Sequence, residues 1–226
     1  VDARDYDGGT FAGRSDAIMV MSIDNVHHKV KLTSIMRDVR VYMGDGSPYD
    51  SGYDKLNHAY MYGGPEQAIR TINQNFGLDI QDYVTVNFAS MAKIVDAFGG
   101  VNIDLTEEEV EQININMRDL AATSPDSMAG DVSTYAPLSA GEGVLLNGDE
   151  AVAYGRIRAI DNDNGRVERQ QEVLSALLSK ASSISKLEYP SIIQQLAPLC
   201  ETSLTFDKMI GLAQIALTGF DIERLS

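Results

Sequence analysis

The sequence is poor in the residues that make covalent cross-links and metal centres. One cysteine, Cys200, stands among 226 residues, so no internal disulfide can form. It follows the apolar stretch 192–199 and reads as a small buried hydrophobe. Basic residues are scarce, 18 Lys and Arg against 33 Asp and Glu, for a formal net charge of −15. Nucleic acid requires a broad basic footprint, and this balance excludes it as a partner. No run approaches the ~20 consecutive apolar residues of a membrane-spanning helix, and no stretch reads as a signal peptide. Of the three histidines, His27 and His28 fall in a hairpin-like turn with no third ligand nearby, and His58 stands alone. Turn and packing roles fit all three better than metal binding. The motifs G-x-S-x-G, the Walker loop and H-E-x-x-H are missing, and the glycine pairs 63–64 and 99–100 act as punctuation.

What is present is a folded globular chain. Its hydrophobic fraction is 44 %, with periodic segments throughout, and its length fits one domain over 1–226. The runs 17–23 and 29–35 read as adjacent strands joined at Asp24-Asn25. Residues 43–53, rich in Gly, Asp, Ser and Pro, read as a surface loop. A helix is predicted from Pro65 to its stop at Gly77. A strand follows over 83–88, then a helix capped by Ser90 and ended by Gly99-Gly100, then a strand over 101–105. Thr106 and Glu109 form a capping box that opens another helix. The stretch 123–148 shows little periodicity and reads as a long loop. Helices follow over 149–154, 166–183, 190–199 and 206–217, the last capped by Thr205. Alternating strands and helices predict an α/β sandwich with helices on both faces of a mixed sheet.

Against the acidic background, Arg156, Arg158, Arg166 and Arg169 crowd into one short segment. The predicted helix puts Arg166, Arg169 and Gln170 on one face in its first turn, where free N–H groups and the macrodipole favour anions. An extended backbone puts Arg156 and Arg158 on one side. Guanidinium groups bind phosphate bidentately. Two readings stand: a phosphate or pyrophosphate clamp, or a solvated helix start paired with Asp161, Asp163, Glu168 and Glu172. Two readings also stand for Asp16 and Arg37, which flank the first two strands, and for Asp2. Either these are ordinary polar residues at strand ends, or they form a ligand site in which two carboxylates hold Mg²⁺. The run Asp161–Gly165 is no calcium loop, because Arg166 replaces the required glycine and the arginines repel the ion. Val173 and Leu177, with Leu174 and Leu178 beside them, form a stripe that is core or the border of a lipid tail.

An ordered set of short motifs resembles the LytR-CpsA-Psr family of bacterial cell-wall enzymes. It comprises Val1–Arg4, Gly13–Met19, Ser34–Asp38, Lys55–Tyr60 with Gly63-Gly64, Val95–Val101, Leu146–Ala151, Tyr154–Arg158 and Asp163–Gln170. The resemblance implies a three-layer α/β/α sandwich with a central mixed β-sheet and an apolar pocket for a polyprenyl chain. It implies an extracytoplasmic domain at the membrane or wall of a Gram-positive bacterium, anchored by an N-terminal membrane helix that precedes these residues. The implied activity is phosphotransfer of a glycopolymer (teichoic acid, capsular or another wall polysaccharide) from a polyprenyl-pyrophosphate carrier to peptidoglycan, with Mg²⁺ or Mn²⁺. By motif position, Asp2 and Asp16 match metal-associated aspartates. Arg37, Arg156, Arg158, Arg166 and Gln170 match pyrophosphate ligands, and Asp163 matches a further acidic residue that can serve as base. Removing one such charged contact is expected to cost about 10²–10³ in rate. Gly155 stands where the family often has Ala, and Asn164 where it often has an aromatic. The residues beyond about Ser185 carry no motif of the set. Two other functions are compatible with a pyrophosphate clamp: a polyprenyl-pyrophosphate phosphatase, and a non-catalytic lipid or wall-polymer binding regulator.

Overall fold

The computed structural model describes residues 13–49, 51–123, 137–161, 163–185, 187–216 and 221–225. The chain runs β1 (Met19–Asp24), β2 (Lys29–Ser34), β3 (Arg40–Tyr42), β4 (Tyr53–Lys55), α1 (Leu56–Phe76), β5 (Val84–Thr85), α2 (Phe88–Ala97), β6 (Val101–Leu105), α3 (Glu107–Thr123), β7 (Gly141–Leu146), α4 (Gly148–Gly155), α5 (Asp163–Ser182), α6 (Tyr189–Leu196), β8 (Glu201–Thr202), α7 (Phe206–Ala216) and β9 (Asp221–Leu225). It is a mixed α/β fold. The mixed sheet has the order β1-β2-β9, with β1 antiparallel and β9 parallel to β2. The pairs β3–β4, β5–β8 and β6–β7 form separate antiparallel ladders.

Around α4 gathers the larger core. All eight of its residues are buried, including Asp149 and Glu150 in its first turn. Asn147 caps it in a reciprocal box with Glu150, and Asp96 accepts a further bond from Gly148 N at 2.7 Å. A Cβ at Gly148 would run into the backbone carbonyl of Ala92, so only glycine lets α4 press this closely on α2. Val95, Val101, Ile113, Leu146, Ile157, Val173 and Leu177 complete the core. Of the two readings of the α5 stripe, Val173 and Leu177 therefore take the core one. Cys200 packs against the same cluster, and burial pushes its thiol pKa up.

Some sequence expectations change. The helix predicted from Pro65 begins nine residues earlier, at Leu56, and bends where Gly63 and Gly64 leave helical dihedrals. The loop 43–53 contributes the start of β4, and β3 precedes it. Asn87, not Ser90, caps α2; the Ser90 N–H donates to the Asn87 side chain at 2.7 Å. Residues 141–146, read as loop, form a strand against β6. Glycine-rich Gly-Glu-Gly suppressed the strand signal there. The capping box of Thr106 and Glu109 is present as expected.

At the β1–β2 turn the Asp24 carboxylate accepts bonds from His27 Nδ1 at 2.7 Å and from the N–H groups of Val26 and His27. These bonds, led by the His27 side chain, lower its pKa from 3.8 to about 2. A depressed carboxylate stabilises fully above its unfolded pKa, and the contribution is lost as pH falls through the folded value. Its window is therefore about pH 4 to about pH 2. Glu150, raised chiefly by burial, works in the opposite direction. Asp24→Asn should flatten the loss of stability across that window. Thermal unfolding of both proteins along a pH series checks this, and parallel curves would remove Asp24 from the acid response.

Candidate functional site

Strand pairing builds the first wall of the site. Met19 faces Ser34 in the β1–β2 ladder, and Ile35 N donates to Ile18 O at 2.9 Å just beyond it. Residues preceding β1 and following β2 therefore meet at one end of the sheet. There the Arg37 guanidinium donates from Nη1 to Asp16 Oδ1 at 2.7 Å. Its Nε donates to Asp38 Oδ2 at 3.2 Å, and Asp38 is also held by Lys55 Nζ at 2.8 Å. Lys55 foremost, with Arg37, keeps the Asp38 pKa below the usual carboxylate range.

The second wall comes from α4, α5 and their connection. Gln171, buried on α5, donates to Ser34 Oγ at 2.8 Å and ties the helix to the end of β2. Arg158 reaches the same place: its Nη2 lies 3.9 Å from Asp16 Oδ1, and its side chain is 52 % exposed. A carboxylate flanked by two arginines leaves a net positive spot open to solvent, where an anion can compete for the guanidinium groups. Arg156, the C-cap of α4, lies with Cζ 4.8 Å from the Phe88 ring centroid. A cation at a helix C-terminus also complements the macrodipole. Arg156 ends α4 in a turn, with φ −99° and ψ −5°, and in place of the side-by-side display expected for the two arginines Arg156 lies on the Phe88 ring while Arg158 reaches Asp16. Gln170 Nε2 donates to Gly155 O at 3.2 Å and holds the end of α4 to α5.

Helix α5 starts at Asp163, so Arg166, Arg169 and Gln170 stand beyond the first residues rather than on the free N–H groups. Arg166 is 4 % exposed; its Nε and Nη1 are buried without an acceptor of their own, while other contacts hold the side chain. Arg169, 8 % exposed, turns away from Asp16. It donates from Nε to Glu109 Oε1 at 2.9 Å and from Nη1 and Nη2 to the Asp161 carboxylate at 3.1 and 2.7 Å. Burial opposes its charge, but the bonds from Asp161 and Glu109 outweigh that and raise its pKa. The paired reading thus holds for this one arginine in its Asp161 partner, but the side chain is buried rather than solvated and its other partner is Glu109. Glu109 serves twice, capping α3 through Oε2 and binding Arg169 through Oε1. Nearby, buried Tyr154 donates to Glu172 Oε2 at 2.7 Å, and burial followed by that bond raises the phenol pKa.

Asp2 and the Asp163 side chain lie outside the described residues. Among the described residues no three His, Cys, Asp or Glu side chains are placed to hold a metal ion. Asp16 alone is too few ligands for a hard cation. Two of the three histidines have carboxylate partners: His27 holds the hairpin turn through Asp24, and His58 Nδ1 and Tyr62 OH share Asp54 Oδ2 at 2.7 and 2.5 Å. Sequence reasoning missed Asn57. Its N–H donates to Arg37 O at 2.9 Å, and its Oδ1 is a buried acceptor with no donor. Only membership in the Lys55–Tyr60 motif pointed to it.

Gly155 is free to vary. A Cβ there would meet only Gln170 Cγ at 3.6 Å, an ordinary contact. Gly155→Ala should raise stability by about 0.4–1 kcal/mol by restricting the unfolded chain. Urea unfolding checks it; a loss instead would show that α4 and α5 have no room for a methyl group.

Residues 1–225 match the LytR_cpsA_psr family. The polyisoprenyl-teichoic acid–peptidoglycan teichoic acid transferase TagU of Halalkalibacterium halodurans is 30 % identical over 213 residues, covering 92 % of this chain and 60 % of the relative. A solved structure of TagT bound to LIIa-WTA is 28 % identical with a TM-score of 0.73, covering 94 % of this chain and 72 % of that one. The LytR-CPS2A-psr family protein YwtF (TagT) with bound octaprenyl pyrophosphate lipid is 25 % identical with a TM-score of 0.68, covering 94 % and 71 %. This chain spans between 50 % and 67 % of the length of the curated relatives TagU, TagV and TagT. The family match runs through both walls of the site, from the strand ends that carry Asp16 and Arg37 to the α4–α5 connection that carries Arg158 and the helix that carries Arg166, and this chain belongs to the LytR_cpsA_psr family.

Proposed function

We propose that this domain, taken as one unit over 1–226, transfers a glycopolymer of the teichoic acid class from a polyprenyl-pyrophosphate carrier to peptidoglycan. It would act at the extracytoplasmic face of the membrane, held there by a membrane anchor. The observation that carries the reading is the convergence of Arg37 and Arg158 on Asp16 from opposite walls of one site. Relatives named as teichoic acid transferases and a neighbour holding octaprenyl pyrophosphate support it.

Phosphoryl transfer asks mainly for positioning and for neutralisation of spreading negative charge. Arg37, Arg156, Arg158 and Arg166, with Gln170, bind the diphosphate. A peptidoglycan hydroxyl attacks the phosphorus that bears the polymer. Its proton passes to Asp163 as base. The bond to the bridging oxygen breaks, polyprenyl phosphate leaves, and the polymer ends on peptidoglycan through a phosphodiester. Mg²⁺ or Mn²⁺ held by Asp2 and Asp16 would add positive charge beside the diphosphate; the described residues supply only Asp16, and no step is assigned to the ion.

The test is product analysis with a polyprenyl-pyrophosphate-linked glycopolymer, with and without peptidoglycan. Expected is a polymer–peptidoglycan adduct that needs the acceptor and falls when divalent cations are chelated. Release of free polymer phosphate at the same rate without acceptor would identify a phosphatase instead, and binding without turnover a non-catalytic lipid binder.

A further inference from the structure

Beside Arg37 the surface changes character. Met36 and Val39 are exposed, and the β3–β4 ladder that follows presents two tyrosines side by side. In that ladder Arg40 faces Lys55 and Tyr42 faces Tyr53, while Val41 and Asp54 between them point to the protein side. The outer face therefore reads Arg40, Tyr42, Tyr53, Lys55. Tyr42 is 39 % and Tyr53 44 % exposed, and their ring centroids are 5.1 Å apart at an angle of 59°.

These rings are held rather than loose. Tyr42 lies over Gly44 and Gly52, and a Cβ at Gly52 would come within 2.6 Å of its Cε2, at a φ of +68°. Glycine at that position is what lets the ring lie down. The outer edge of β3 is closed by Asn75, which accepts from Tyr42 N at 2.9 Å and donates to Tyr42 O at 2.7 Å. Met43 N donates to Gly52 O at 2.7 Å and fixes the base of the loop. The cross-strand pair contributes modestly to the stability of the ribbon itself, and an aromatic surface set in advance also lowers the ordering cost of binding.

Of the two cations on this face, Lys55 is paired with a carboxylate, while Arg40 rests on an aromatic ring and keeps its charge. The Arg40 guanidinium stands 5.0 Å over the Tyr53 ring, and Lys55 Nζ is bonded to Asp38. With one side of Tyr53 covered by Arg40, the face still offers the remaining ring surface with phenol hydroxyls at the rims, which fits the apolar face and hydroxyl edge of a pyranose ring. A polyanion would find on this face the single cation Arg40 against two aromatic rings. The face is continuous with the site, because Asp38 bridges Lys55 to Arg37. We propose that Tyr42 and Tyr53 form a platform that stacks the sugar rings of the acceptor glycan strand and guides it towards Arg37. The choice of acceptor rests on the transfer reading above; the sugar-binding platform itself does not.

The test uses a neutral β-1,4-linked N-acetylglucosamine hexamer, with an oligomeric glycerol phosphate as the anionic comparison. Binding to the whole chain is followed by calorimetry, and the contact is mapped by NMR shifts of the tyrosine rings. Expected is saturable hexamer binding that shifts Tyr42 and Tyr53, weakens about tenfold in Tyr42→Ala and in Tyr53→Ala, and survives in Tyr42→Phe and Arg158→Ala. Ring shifts in the unmodified protein keep the proposal testable even where an alanine variant fails to fold. No hexamer binding, or binding that leaves both rings unshifted, overturns the platform and leaves the transfer reading intact. Tighter glycerol phosphate binding on the same rings overturns the assignment to the acceptor. Hexamer binding together with no polymer transfer would retain the platform and remove the transferase.

Discussion

Replacing Arg37 by alanine should lower polymer transfer about 10²–10³-fold, the cost of losing one donor preorganised towards developing charge. Arg37 is the fixed member of the pair on Asp16. It binds that carboxylate at 2.7 Å, and its backbone carbonyl accepts from Asn57 N, so both ends of the residue are set before any substrate arrives. Arg158, more exposed and 3.9 Å from Asp16, is the adjustable member. Arg37→Lys should recover only part of the loss, because an ammonium cannot bond Asp16 and a phosphate oxygen in the planar, forked geometry of guanidinium. The measurement is turnover of a polyprenyl-pyrophosphate-linked glycopolymer, beside a thermal unfolding curve that confirms the fold. Undiminished turnover in Arg37→Ala would remove this residue from the site.

The second large effect concerns stability. Arg169→Ala should destabilise the protein by about 3–5 kcal/mol, the usual cost of leaving one side of a buried ion pair behind. Three bonds disappear at once, and Glu109 and Asp161 are left facing each other without a cation. For a chain of this size the unfolding midpoint should drop by roughly 10 °C. Most of that cost is the stranded charge rather than the lost attraction. Glu109→Gln added to Arg169→Ala should therefore recover part of the stability. If the double variant is less stable than Arg169→Ala by the full cost of Glu109→Gln alone, the two residues are not coupled and the network argument fails.

The contrast between these two arginines shows how far the sequence could be read. Both belong to motifs of the set, both are guanidinium groups, and spacing put Arg169 on the same face as Arg166 and Gln170. Nothing local says that Glu109, sixty positions earlier, turns its second oxygen to Arg169. That pairing comes from packing α3 and α5 on α4, and packing is not periodic in sequence. The long helices and the β1–β2 hairpin were legible because each carries its own pattern and its own stop signal. Helix α1 was cut short because Gly63-Gly64 looks like a beginning and is instead a bend. Strand β7 was hidden because Gly141 and Gly143 carry no side chain to alternate. The arginine segment was found as a local excess of charge, but its partners Asp16 and Arg37 needed the strand register to bring them to it. Beyond Ser185 no motif was available, and there the structure places α6, β8, α7 and β9.

Strand β9 has a consequence for how the molecule is made. Lys29 on β2 is bonded to Glu223 on β9 across 194 positions of sequence. A chain emerging vectorially can close the β1–β2 hairpin within moments, yet the other side of β2 stays bare until residue 225 is clear of the machinery that delivers it. Until then an unpaired edge faces whatever lies nearby. The exposed ion pairs of Lys29 and Lys31 with Glu223 supply a charge match that selects the proper closing strand over a stray one. Completion of this sheet is thus a late, long-range event, and a nascent chain halted before residue 221 should bind folding helpers that the finished one releases.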